Sequence, residues 1–174
     1  MSRNSPAALP TAYVVLRILV ALNWLYGAIV LAILVGLLTS HQWTMIALGV
    51  PPSAQSDELI TGMRFIAALG LLAVPLNLGL LRRLIGMVET ARAGDPFVPD
   101  NAYRLQAIAW LLVGQQLISV LVAIVGKAVS TTGHPLHLSA GFSPGGWLAV
   151  MMTFVLARVF AEGTLMRRDL EGTI

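Results

Sequence analysis

Residues Tyr13 to Leu38 read YVVLRILVALNWLYGAIVLAILVGLL, twenty-six positions interrupted by one charge, Arg17. At 1.5 Å per residue, about 20 apolar residues span the ~30 Å hydrocarbon core of a bilayer, so this run can cross with tilt. It is too long for the ~7–15-residue apolar core of a secretory leader, and no small-residue cleavage pattern follows it. Leu59–Leu81, Leu105–Val125 and Gly146–Met166 have the same character. Only 11% of the residues are charged and 57% are hydrophobic, whereas soluble domains carry roughly 25% charge. A water-soluble globule of this composition would expose apolar patches larger than the few hundred Å² usual on monomers. The expectation is an all-α, integral membrane four-helix bundle in antiparallel up-down order. It forms a single domain over 1–174, with helices at about 13–38, 59–93, 101–125 and 145–170.

The eleven basic residues outnumber the eight acidic ones, and their positions matter more than their sum. They sit singly or in pairs at the ends of apolar runs, without the stripe that tracks phosphates, which argues against direct nucleic-acid binding. Arg3, Arg17, Arg82, Arg83, Arg92, Arg104, Arg158, Arg167 and Arg168 fall on one side of the four runs, and Arg64 and Lys127 on the other. Short cytoplasmic loops carry such an excess. Both termini and the central loop 82–101 are therefore expected in the cytoplasm, and the chain in a bacterial inner (plasma) membrane. The absence of cysteine excludes disulfides and thiolate metal sites and leaves the redox compartment open.

The central stretch, Arg82–Asn101 (RRLIGMVETARAGDPFVPDN), is the most highly charged segment. Leu81, Leu84, Ile85 and Val88 fall on one helical face, so the second helix should continue beyond the hydrocarbon as a stem. Gly94 suits the position just past a helix end, Pro96 follows it, and Asp100 or Asn101 suits the N-cap of the next helix. A helical stem from Arg82 to Ala93 would be ~18 Å long, and seven extended residues can reach back over ~23 Å. Phe97 and Val98 can then fold against Leu84, Ile85 and Val88. The lengths allow a stem that projects and one that lies on the bilayer.

Polar residues inside the runs are the other candidates. Ala28, Ala32 and Gly36 put small side chains on one stripe of the first helix, where a neighbouring helix or a second copy in a homodimer can approach. Trp43–Leu48 can form an interfacial turn before Pro51 and Pro52. Arg64 can snorkel to headgroups or to Asp57 and Glu58, and Pro75 should kink the second helix. Gln115 and Gln116, with Ser119 one turn on, need partners in hydrocarbon. Arg158 and Glu162, at i and i+4 within the inner-leaflet region, can neutralise each other. Asn23, Asn77, Gln115, Gln116, Arg158 and Glu162 together form a candidate ligand set between helices. His134 and His137, even with His41 or Asp57, lack a definite third ligand, so no metal site is assigned.

Gly94, Pro96, Phe97 and Asn101, followed by Leu105, resemble a motif of the bacterial family called domain of unknown function 2975. Phe160 and Gly163 followed by RRDLEGTI are similar to that family's ending. Asp100 stands before Asn101 where many relatives would carry Glu, a departure that preserves charge. The resemblance covers most of the chain. It implies a small four-helix inner-membrane protein without an assigned activity, frequently encoded beside a small helix-turn-helix regulator.

Two functions of different class follow. In the first, a regulatory membrane protein binds that cytoplasmic regulator through the stem and tail, burying Leu84, Ile85, Met87, Val88 and Phe97 with Arg92 alongside. The connection has more than twenty residues where ~4–6 is the median. In the second, an oligomer binds or carries a lipid or small apolar molecule at the polar set named above. An enzyme is not expected: there is no cytoplasmic Ser, His and acid set, no HExxH and no phosphate-binding glycine loop, and no cofactor is implied.

Overall fold

The structure, a computed structural model, describes residues 8–39, 54–130 and 140–171, and the side chains of all of these except 8, 54–56 and 168–171. The interfacial turn at Trp43–Leu48, the proline pair and the three histidines lie outside the described residues. Four helices make up the described chain: α1 (Ala8–Thr39), α2 (Ala54–Arg92), α3 (Pro99–Val129) and α4 (Pro144–Glu171). Each is long and apolar enough to cross a membrane. At 39 residues, α2 extends about 58 Å, which leaves a stem well beyond the hydrocarbon. It runs on through Pro75, whose missing N–H forfeits the bond to the Leu71 carbonyl.

Large apolar side chains are exposed along all four helices, from Val14 and Leu25 on α1 to Trp110 on α3 and Val155 on α4. Lipid tails are as apolar as leucine, so such a surface carries no penalty in a bilayer. On α1 the covered positions Leu9, Tyr13, Leu16, Val20, Asn23, Gly27, Val30, Leu34 and Leu37 alternate steps of four and three, with Ala12 and Gly36 covered beside them. That 3.5-residue period is the seam of left-handed helix packing. The expected small-residue stripe does not form this seam: Ala28 and Ala32 are exposed and only Gly36 is half-covered.

The chain divides into two compact units. One comprises 24–75 and 115–143. In it Gly27 lets Val74 approach, since a Cβ there would stand 3.1 Å from Val74 Cγ1. Gly62 lies against Val129 in the same way. Arg64 donates through Nε to the Leu37 carbonyl at 2.9 Å. That carbonyl is one of the four at the end of α1 without an intrahelical partner. The guanidinium thus caps α1, where snorkelling to headgroups or to Asp57 and Glu58 had been expected. Ser119 Oγ accepts from Gly141 N at 3.1 Å and donates to Gly141 O at 3.2 Å, tying the 140–143 segment to α3.

The other unit comprises 1–23, 76–114 and 144–174. Its contacts between α2 and α3 pair rising numbers with falling ones: Leu76 beside Gly114, Gly79 beside Leu111, Gly86 beside Arg104. Leu105, Ile108 and Ala109 of α3 and Val150 and Ala157 of α4 are buried in it.

Candidate functional site

The candidate site is the loop joining α2 to α3, together with the helix ends around it, all within the second unit. Gly94 takes φ +89°, and its N–H bonds the Ala91 carbonyl at 3.1 Å while Asp95 N–H bonds the Thr90 carbonyl at 3.1 Å. These are the two bonds of a Schellman ending, with glycine where a side chain would be strained. Gly94 is thus just past the helix end, as its place in the sequence predicts. The next helix differs from expectation. Pro99 takes its first position, where the missing N–H forfeits nothing, and Asn101 N–H bonds the Val98 carbonyl at 3.0 Å from inside the first turn.

Asn101 therefore does not cap; its side chain turns back onto the loop. It is 1% exposed, and Nδ2 donates to Thr90 Oγ1 at 2.7 Å and to the Pro96 carbonyl at 2.8 Å. Oδ1 accepts from Arg104 Nη1 at 2.8 Å, and the same nitrogen reaches the Gly86 carbonyl at 3.1 Å. Gly86 makes room for this, because a Cβ there would stand 3.1 Å from Arg104 Cζ. One buried amide thus ties together the last turns of α2, the loop and the first turn of α3. A buried amide satisfied on both ends stabilises a single arrangement, because leaving either end unpaired is costly.

The loop is also tied outward. Arg167 Nη1 bonds Asp95 Oδ1, an ion pair whose side chains are 48% and 41% exposed. Phe97 stacks on Phe160, centroids 5.1 Å apart, and passes over Gly163. Its expected partners were Leu84, Ile85 and Val88 of the stem; its stacking partner is on α4. The guanidinium groups of Arg17 and Arg92 each lie 5.2 Å from the ring centroid of Tyr13 on α1. Arg17 Nη2 also donates to the phenol oxygen at 2.6 Å.

The expected docking residues are therefore distributed differently from the sequence reading. Leu84, Ile85, Met87 and Val88 are half-buried, while Arg92 and Phe97 are exposed. Arg82, Glu89 and Asp100 are exposed with them. What is exposed here is a charged surface around one aromatic ring, in place of an apolar strip. Thr90 and Tyr13 had no role as site residues in the sequence reading, and Arg104 entered it only as one of the charges that set sidedness. The trace of the contact at Arg104 in the sequence was a glycine, Gly86, within the stem.

The expected ligand set draws on both units. Asn23 (7% exposed) and Asn77 belong to the unit that holds the loop, Gln115 and Gln116 to the other. Arg158 and Glu162 do pair, Nε to Oε1 at 2.8 Å, on the exposed side of α4. Among the described residues, no three His, Asp or Glu gather to hold a metal.

Comparison with curated proteins gives no match, and comparison with solved structures gives none either. A family model matches residues 38–174, a range that contains both the loop motif and the C-terminal motif. On that match the chain belongs to the family described as Protein of unknown function (DUF2975).

Proposed function

We propose that this chain is a multi-pass protein of the bacterial inner membrane that holds a built loop in the cytoplasm as a docking surface for a soluble protein. The four helices cross up and down, with both termini on the loop side. The falling register of α2 against α3 and the arginine excess near the loop support that order. The observation that carries the docking reading is the Asn101 node. Its hydrogen bonds and the Asp95–Arg167 pair hold one loop conformation beyond what a simple connection needs. Surfaces fixed in advance lose less entropy on binding. The partner class suggested by the family resemblance is a small helix-turn-helix regulator, bound through an acidic patch that meets Arg82 and Arg92. The role is binding, with no chemistry assigned.

The test is co-purification from native membranes, comparing the wild type with Arg82→Glu/Arg92→Glu, two exposed positions outside the node. Recovery of a small DNA-binding protein with the wild type, reduced at least tenfold in the variant, supports the reading. Equal recovery from both, or recovery from neither, refutes it.

A further inference from the structure

We propose that a groove on the lipid-facing side of α3 and α4, within the unit that holds the loop, binds one anionic phospholipid, with Arg158 holding the phosphate. This goes beyond the docking reading and uses different residues. The groove measures about 430 Å³. Its floor is made of small side chains, Ala102, Ala157 and Ala161, which leave space between the two helices. Tyr103 and Gln106 line it from α3, Phe154, Arg158 and Leu165 from α4.

Three observations select a phospholipid as occupant. The first is depth. Arg158 lies 14 residues into α4, about 21 Å along a helix whose apolar crossing needs ~30 Å, and about 13 Å before Arg167. Its guanidinium therefore sits near the hydrocarbon boundary, in reach of a headgroup phosphate. The second is charge. The Arg158 side chain is 78% exposed and spends only Nε on Glu162, so both of its terminal amino groups remain for a bidentate phosphate contact. Glu162 neutralises part of that charge and opposes the phosphate. Across the unit, nine arginines outnumber six acidic residues, an excess that favours an anion over a zwitterion. The third is the apolar continuation. Phe154 meets Trp110 edge-on, centroids 5.5 Å apart at 85°, and Trp110 is 62% exposed. This aromatic pair continues from the polar end of the groove toward the bilayer interior, the wall an acyl chain needs. A free phosphate would leave that wall unused.

The probe is phosphatidylglycerol, with phosphatidylcholine as the zwitterionic comparison. Each is added to delipidated full-length protein in mild detergent, and the fraction carrying one lipid is read by native mass spectrometry. The expected result is about tenfold tighter retention of phosphatidylglycerol. Arg158→Gln should lose about tenfold, the loss of one charge-assisted phosphate contact. Ala161→Phe should remove binding by filling the floor without altering charge. It keeps the test decisive if Arg158→Gln proves misfolded by circular dichroism. Glu162→Gln should bind as tightly as the wild type or more so. Arg82→Gln, on the stem and outside the groove, should bind as the wild type does. Equal binding of the two lipids, or a folded Arg158→Gln or Ala161→Phe that binds as the wild type, overturns the proposal. A loss in Glu162→Gln or Arg82→Gln matching that in Arg158→Gln overturns it as well.

Discussion

Replacing Asn101 with alanine removes two donated hydrogen bonds, to Thr90 Oγ1 and to the Pro96 carbonyl, and one accepted from Arg104. The amide is 1% exposed, so water does not substitute while the loop stays closed. Two neutral bonds at about 1 kcal/mol each and one charge-assisted bond at about 2 kcal/mol give a gross loss of about 4 kcal/mol. Arg104 keeps the Gly86 carbonyl and is only half-buried, which returns part of the loss and leaves about 2–3 kcal/mol. The closed loop would then open roughly 30- to 150-fold more often. Arg92 is the last residue of α2, next to the loop, so trypsin reads that opening when reclosing outpaces cleavage. In detergent, cleavage after Arg92 should accelerate by that factor in Asn101→Ala. Thr90→Ala, which loses one bond to the node besides the one within α2 to the Met87 carbonyl, should accelerate it by only about fivefold. Asn101→Ala cleaved within threefold of the wild type would refute the assignment of the node.

Other substitutions test the packing. Arg64→Met strips the bond to the Leu37 carbonyl and should lower stability in dodecyl sulfate titration by about 1–2 kcal/mol, with no change contradicting the cap. Gly62→Ala puts a methyl against Val129, 2.8 Å from Cγ2, and should cost about 1–3 kcal/mol in the same titration. Gly62→Ala/Val129→Ala should recover part of that. Gly94→Val forces a branched side chain to φ +89° and should cost about 1–3 kcal/mol, whereas Gly94→Asn should be nearly neutral. Equal melting of the two Gly94 variants would contradict the left-handed ending.

Where the sequence was informative, local chemistry was the reason. Helix existence followed from apolar length, and the end of α2 from a glycine and a proline whose backbone preferences act within four residues. Asn101 was legible only as a polar residue near a helix start, a local role; besides Arg104, its partners lie eleven and five residues earlier in the chain. Facing was the harder question. In lipid, both the packed and the exposed sides of a helix are apolar, so Ala28 and Ala32 carried no signal that they point outward. Phe97 could pack on any apolar face within reach, and it took Phe160, whose distance in sequence hides the choice. For Arg64, the choice depended on where α1 ends in space, since an open carbonyl there competes with headgroups for the guanidinium.

The claim beneath all of this is that the chain crosses a membrane four times and holds its built loop on the cytoplasmic side. Because the chain has no cysteine, single introduced thiols can report sidedness without background. Ala93→Cys and Gly172→Cys should react with a membrane-impermeant maleimide in inside-out vesicles and stay unlabelled in intact spheroplasts. Ser53→Cys and Thr132→Cys should show the reverse. Labelling of Ala93→Cys from the outer face, or of Ala93→Cys and Thr132→Cys from the same face, would contradict the account.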